Sequence, residues 1–154
     1  MYKVHFLNSR EKKEIYKQLD EQFGVKEELP YAMFENNQET IFLMSNQYVN
    51  LETSNININN MGLYFAQRER DGLRLSVEGS QIIKATKNVI DINKKQAGLW
   101  MKGEDIPYEG HAGFVILRLN KDILGCGMHK TNVIRNMIPK SRRLNSVTET
   151  SEES

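Results

Sequence analysis

Lys130, Arg135, Lys140, Arg142 and Arg143 crowd into one stretch near the end of this 154-residue chain. Side chains of this type neutralise phosphate, and arginine adds a planar fork that takes two oxygens at once. Other chemistry-bearing residues are scattered. His5, His111 and His129 contain no i, i+4 pair of the kind that forms a helical metal site. The single cysteine, Cys126, sits in a Gly-Cys-Gly run and reads as a small buried hydrophobe. Glu78 and Asp91 make no acid–base constellation with their neighbours. Gly24 is isolated, and no glycine loop leads from a strand into a helix to hold a nucleotide. The expectation is therefore no catalytic residue, no metal and no cofactor.

The charge distribution supports a polyanionic partner. The whole chain carries a formal +1. Residues 1–83 carry 9 Lys/Arg against 12 Asp/Glu, residues 84–143 carry 12 against 5, and residues 144–154 add three Glu. A basic part of net +7 thus lies between acidic ends. Asymmetry of this kind favours a polyanion over a merely solvated mixed surface.

A chain of this length makes one medium domain or two small ones, and can bury a core without disulfides. The lone cysteine excludes an internal disulfide and a cysteine-rich metal site, and fits a reducing compartment. The opening MYKVHFLNSREKKE has no apolar signal-peptide core. No apolar run is long enough to span a bilayer. A soluble cytoplasmic protein is expected.

The elements that must position the basic residues follow from periodicity and capping. Lys3–Leu7 alternates like a strand. Asn8 with Glu11 forms a capping-box pattern for a helix whose apolar stripe is Ile15, Leu19 and Phe23, ended by Gly24. Thr40–Ser45 and Tyr48–Leu51 read as strands around an Asn46-Gln47 turn, and Ser54–Asn60 as an edge strand or ordered loop. Leu63–Gln67 and Leu73–Val77 flank an Asp71-Gly72 hairpin signal. A helical turn is predicted over Gln81–Thr86, a strand over Val89–Ile92, and a helix over Lys94–Lys102 with Ala97, Trp100 and Met101 on one face. Phe114–Leu119 and Ile123–Met128 form an apolar hairpin. Gly125 and Gly127 in its return strand predict a bulge or a close backbone approach. Val133–Ile138 is the last strand, closed by Pro139. The polar, acidic tail 145–154 is expected to be disordered. Short, regular strands after residue 73 suggest a small β-barrel, preceded by an α+β unit.

GLWMKGEDIP (98–107), GFVILRL (113–119), ILGCGM (123–128) and RNMIPKSRR (135–143) together resemble a PUA domain, a pseudo-β-barrel found on RNA-modifying enzymes and ribosome-assembly factors. The segment is most similar to the C-terminal domain of RsmF/Sun-type RNA cytosine methyltransferases, through Gly103-Glu104, Gly125-Cys126-Gly127, Asn136, Pro139, Lys140 and Arg143. The run GLYFAQRERDGLRLSVEGSQII (62–83) is similar to the junction in small ribosome-assembly factors of the pre-PUA plus PUA type. The chain lacks the methyltransferases' cofactor loop and catalytic cysteines, so it looks like the RNA-binding appendage without the enzyme.

The resemblance implies an α+β protein: a small N-terminal α+β, pre-PUA-like domain (1–73) packed on a C-terminal PUA pseudo-β-barrel (74–144), then the tail 145–154. It implies an RNA-binding set of Lys130, Arg135, Lys140, Arg142 and Arg143. Lys102 and Gly103, in the loop after the helix, form a second set that holds RNA through backbone groups. Arg118, Lys84 and Lys87 are expected to face water, and Trp100 and Phe114 to be core. The implied function is non-catalytic binding of structured rRNA or tRNA, as an accessory factor in ribosome biogenesis or RNA modification. Its protein partner would be an RNA-modification enzyme or a ribosome-assembly protein. The alternative is a protein-interaction or targeting subunit for a separate RNA-modifying enzyme.

Overall fold

The computed structural model describes residues 4–45, 62–110, 112–140 and 143. The expected Tyr48–Leu51 strand and its turn, the Ser54–Asn60 segment, His111, Arg142 and the tail 145–154 lie outside the described residues.

Strand β1 (Val4–Phe6) leads through Asn8 into helix α1 (Ser9–Phe23). Asn8 Oδ1 accepts from the Glu11 backbone N–H at 2.9 Å, and Glu11 Oε1 accepts from the Asn8 N–H at 2.9 Å. That is the reciprocal capping box the spacing predicts. Ile15, Leu19 and Phe23 are buried, as their stripe requires. Gly24 ends the helix at φ 66°. A Cβ there would also strike the Thr86 hydroxyl. The N–H groups of Thr86 and Lys87 donate to the Phe23 carbonyl at 2.7 and 3.1 Å. The end of α1 is therefore tied to the connection between the two halves of the chain.

Strands β2 (Tyr31–Asn36), β3 (Thr40–Ser45), β4 (Leu63–Glu69) and β5 (Gly72–Leu75) continue β1 into an antiparallel sheet ordered β1-β2-β3-β4-β5. The sequence pattern does not reveal β2. Its consecutive Met33 and Phe34 are both buried, one in the main core and one in a cluster with Met44, so alternation is lost. The β4–β5 turn is Arg70-Asp71, with Gly72 already paired to Glu69. This is one residue earlier than the Asp-Gly pair suggests. Phe6, Phe34, Phe42 and Tyr64 form a row across the four strands, with successive ring centroids 5.6, 5.0 and 6.3 Å apart.

Helix α2 spans Val77–Ile82, not the predicted Gln81–Thr86. Ser76 decides this. Its Oγ accepts from the Gly79 N–H at 2.8 Å and donates to the Tyr64 carbonyl at 2.7 Å. An N-cap fixed by the preceding sheet overrides the local preference further along.

The second sheet is ordered β6-β8-β9-β10-β7. It comprises β6 (Val89–Asp91), β7 (Ile106–Pro107), β8 (Gly113–Leu119), β9 (Asp122–Lys130) and β10 (Val133–Asn136). Helix α3 (Lys94–Met101) lies between β6 and β7 in the chain. β6 runs parallel to β8, and the other pairs are antiparallel. The sheet curls into a half-barrel around Trp100, which is fully buried with Val115, Leu117, Ile134 and Ile138. The two-residue β7 has no sequence signal, and β10 ends at Asn136, two residues before the expected limit.

Strand β8 explains its own composition. Phe114 and Ile116 enter the core cluster that holds α1 and the first sheet, whereas Val115 and Leu117 enter the half-barrel. A strand buried on both faces reads as a continuous apolar run. Opposite it, Leu117 pairs with Gly125 and Arg118 with Ile123, leaving Leu124 as a bulge. A Cβ on Gly127 would lie 2.9 Å from the backbone carbonyl oxygen of Arg135, and 2.7 Å from the side chains of Trp100 and Ile134. Both effects expected of the two glycines are present.

Candidate nucleic-acid interface

Helix α3 is opened by a second capping box, between Asn93 and Gln96. It closes with a Schellman turn: the Glu104 N–H donates to the Leu99 carbonyl at 3.0 Å and the Gly103 N–H to the Trp100 carbonyl at 2.9 Å. Gly103 takes φ 97° to make the turn. The Gly-Glu pair is thus a helix stop.

Asn136 joins this stop to the end of β10. Its Nδ2 donates to the Trp100 carbonyl at 2.8 Å and the Glu104 carbonyl at 3.0 Å. Its Oδ1 accepts from the Ile138 N–H at 2.8 Å, and its own backbone N–H donates to Asp105 Oδ1 at 2.9 Å. Asp105 thus serves as a partner for this strand end. Arg143 closes the arrangement. Its Nε donates to the Ile138 carbonyl at 2.9 Å, and its side chain lies where a Cβ on Gly103 would sit.

The structure brings Lys102, Gly103 and Arg143 together at the end of α3, with Lys140 linked through its carbonyl to the Arg143 N–H at 3.3 Å. Lys102 and Arg143 are half-buried and Lys140 is exposed. Lys130 and Arg135 form a separate pair on β9 and β10, both exposed, with Lys130 opposite Val133 and Arg135 opposite Met128. Sequence reasoning names Asn136 within the motif but not as the residue that organises it.

Ion pairing separates the basic residues into two kinds. Arg118 is paired with Asp91 at 2.7 Å, Lys84 with Glu27 at 3.5 Å and Arg68 with Glu35 at 2.6 Å. The hydrogen bond from Arg118 holds the Asp91 carboxyl below its usual range. Among the described residues, Lys130, Arg135 and Lys140 make no ion pair and are exposed, so their charge is available to an outside anion.

His129 is buried, and its ring Nε2–H donates to the Tyr108 carbonyl at 2.7 Å. Cys126 is buried, and loss of hydration pushes its thiol up to about 12. It is a core residue with no thiolate at neutral pH. Among the described residues no group of His, Cys, Asp or Glu is arranged to hold a metal ion, and no helix is long and apolar enough to cross a membrane.

A half-barrel whose strand β10 is stapled to the end of helix α3, packed on an α+β unit, defines a class: α+β proteins built around a PUA pseudo-barrel. Residues 87–144 match the family model of the methyltransferase RsmF PUA domain. Among solved structures it is similar to a PUA domain from Aeropyrum pernix K1 in complex with tartrate. That likeness has a TM-score of 0.54 at 8% identity, over 99% of this chain and 92% of that one. No curated protein matches the sequence.

Proposed function

We propose that this chain is a non-catalytic, cytoplasmic RNA-binding protein that recognises structured rRNA or tRNA, as an accessory factor in ribosome biogenesis or RNA modification. PUA domains are in general RNA-binding. The observation that carries the reading here is the set Lys130, Arg135 and Lys140, exposed and without carboxylate partners at the end of the basic part of the chain. Structured RNA is read largely through shape, phosphates and unpaired elements, which suits a small basic barrel. Arg143 supports the surface mainly by holding the exit segment in place.

The test is binding of folded tRNA and of rRNA fragments across a salt series. Affinity should fall linearly with salt on a double-logarithmic plot. Each of Arg135→Ala and Lys140→Ala should reduce that slope by about one. Arg118→Ala, which removes an already paired charge, should leave it nearly unchanged. Binding that is unmeasurable at low salt, or indifferent to Arg135 and Lys140, rules the reading out.

A further inference from the structure

A cleft of about 120 Å³ opens where the two halves meet. Tyr64, Arg74 and Val77 line it together with Cys126, Met137 and Pro139. We propose that this cleft receives one unpaired pyrimidine base of a bound RNA strand. The inference rests on the RNA-binding reading above and deepens it.

Size is the first argument. An apolar cavity of about 150 Å³ holds a benzene-sized ring, so this one is on the scale of a single six-membered ring. The second argument is charge. Arg74, the basic residue of the lining, is already paired with Glu69 at 3.0 Å, and Glu78 adds a carboxylate. Burial raises the Tyr64 phenol and the Cys126 thiol, so both are neutral. A site of this kind suits a neutral heterocycle and not a phosphate. The third is wall chemistry. Tyr64 is fixed at the end of the aromatic row, and unpaired RNA bases stack on such rings and on guanidinium planes. The Arg74 guanidinium belongs to the same lining, 3.0 Å from Glu69 Oε2. The fourth is position. The lining residues Met137, Ile138 and Pro139 fall between Arg135 and Lys140 in the chain. Phosphates held by those two side chains would bring a base to the mouth of the cleft.

The experiment uses the full chain and a short oligouridylate carrying one fluorescent pyrimidine analogue. Binding should shift the analogue's emission toward that of a buried base. Val77→Phe, which fills the cleft, should abolish the shift and weaken oligouridylate binding about tenfold, the loss expected for one stacked base. An oligoadenylate should bind more weakly than oligouridylate to the native protein and equally to the filled one. Where melting shows that Val77→Phe does not fold, Met137→Trp at the partly exposed rim takes its place. If the filled protein binds as tightly as the native one while Arg135→Ala weakens binding, the cleft is not a base site and the RNA reading stands. If the native protein binds neither oligouridylate nor folded RNA, both fall.

Discussion

The Asn136 carboxamide holds three backbone groups at once: the carbonyls of Trp100 and Glu104 and the N–H of Ile138. No other side-chain type of its size offers two donors and an acceptor in this geometry. Asn136→Ala should lower unfolding free energy in urea by about 2 kcal/mol, the usual cost of leaving such groups without partners. Asn136→Asp should be worse, because the carboxylate keeps the acceptor, loses both donors and faces two carbonyl oxygens. If Asp is tolerated better than Ala, the amide is not the staple described. The basic residues show what a sequence does and does not reveal at this scale. That Lys130, Arg135 and Lys140 are exposed follows from their chemistry. That Arg118 is neutralised does not, because its partner Asp91 lies 27 residues away and meets it only through the parallel β6–β8 register.

Local hydrogen bonds fix the helices, and the Glu11 carboxylate makes one such bond measurable. Its bond from the Asn8 backbone N–H, then that from His5, holds its pKa below the ordinary 4.5. A carboxyl depressed in the folded state adds stability that is fully present above the unfolded pKa and is lost as pH falls through the folded one. Melting temperature should therefore drop as pH falls below 4.5. Glu11→Ala should make that acid limb shallower while lowering the melting temperature at neutral pH. An acid limb unchanged by the substitution would show that the capping box does not contribute to it. Features set by near neighbours were legible: both ends of α1, the strand Thr40–Ser45, and the Lys94 start of α3. Those set by distant partners were not. β2 loses alternation because Met33 and Phe34 serve two different clusters, β7 exists only as a partner for β10, and α2 begins where Ser76 meets the Tyr64 carbonyl.

Across the whole molecule, one core crosses from the first sheet to the second. Phe114, Ile116 and Cys126 of the half-barrel are buried in the same cluster as Ile15, Leu19 and Phe23 of α1. The ties from Thr86, Lys87 and Asn88 back to α1 run alongside it. A half-barrel cut away from the first sheet would expose this face of β8, so the two halves should unfold together. Ile116→Ala removes a fully buried side chain at the centre of that contact. It should cost about 2–5 kcal/mol. It should also move two signals by the same amount: Trp100 fluorescence from inside the half-barrel, and amide exchange in α1 on the far side of the shared core. If Trp100 reports a transition that α1 does not follow, the halves are separately stable. A cooperative result would mean that Lys130, Arg135 and Lys140 stand on a frame made rigid by both halves. The first sheet would then act on RNA binding even where none of its residues touches the strand.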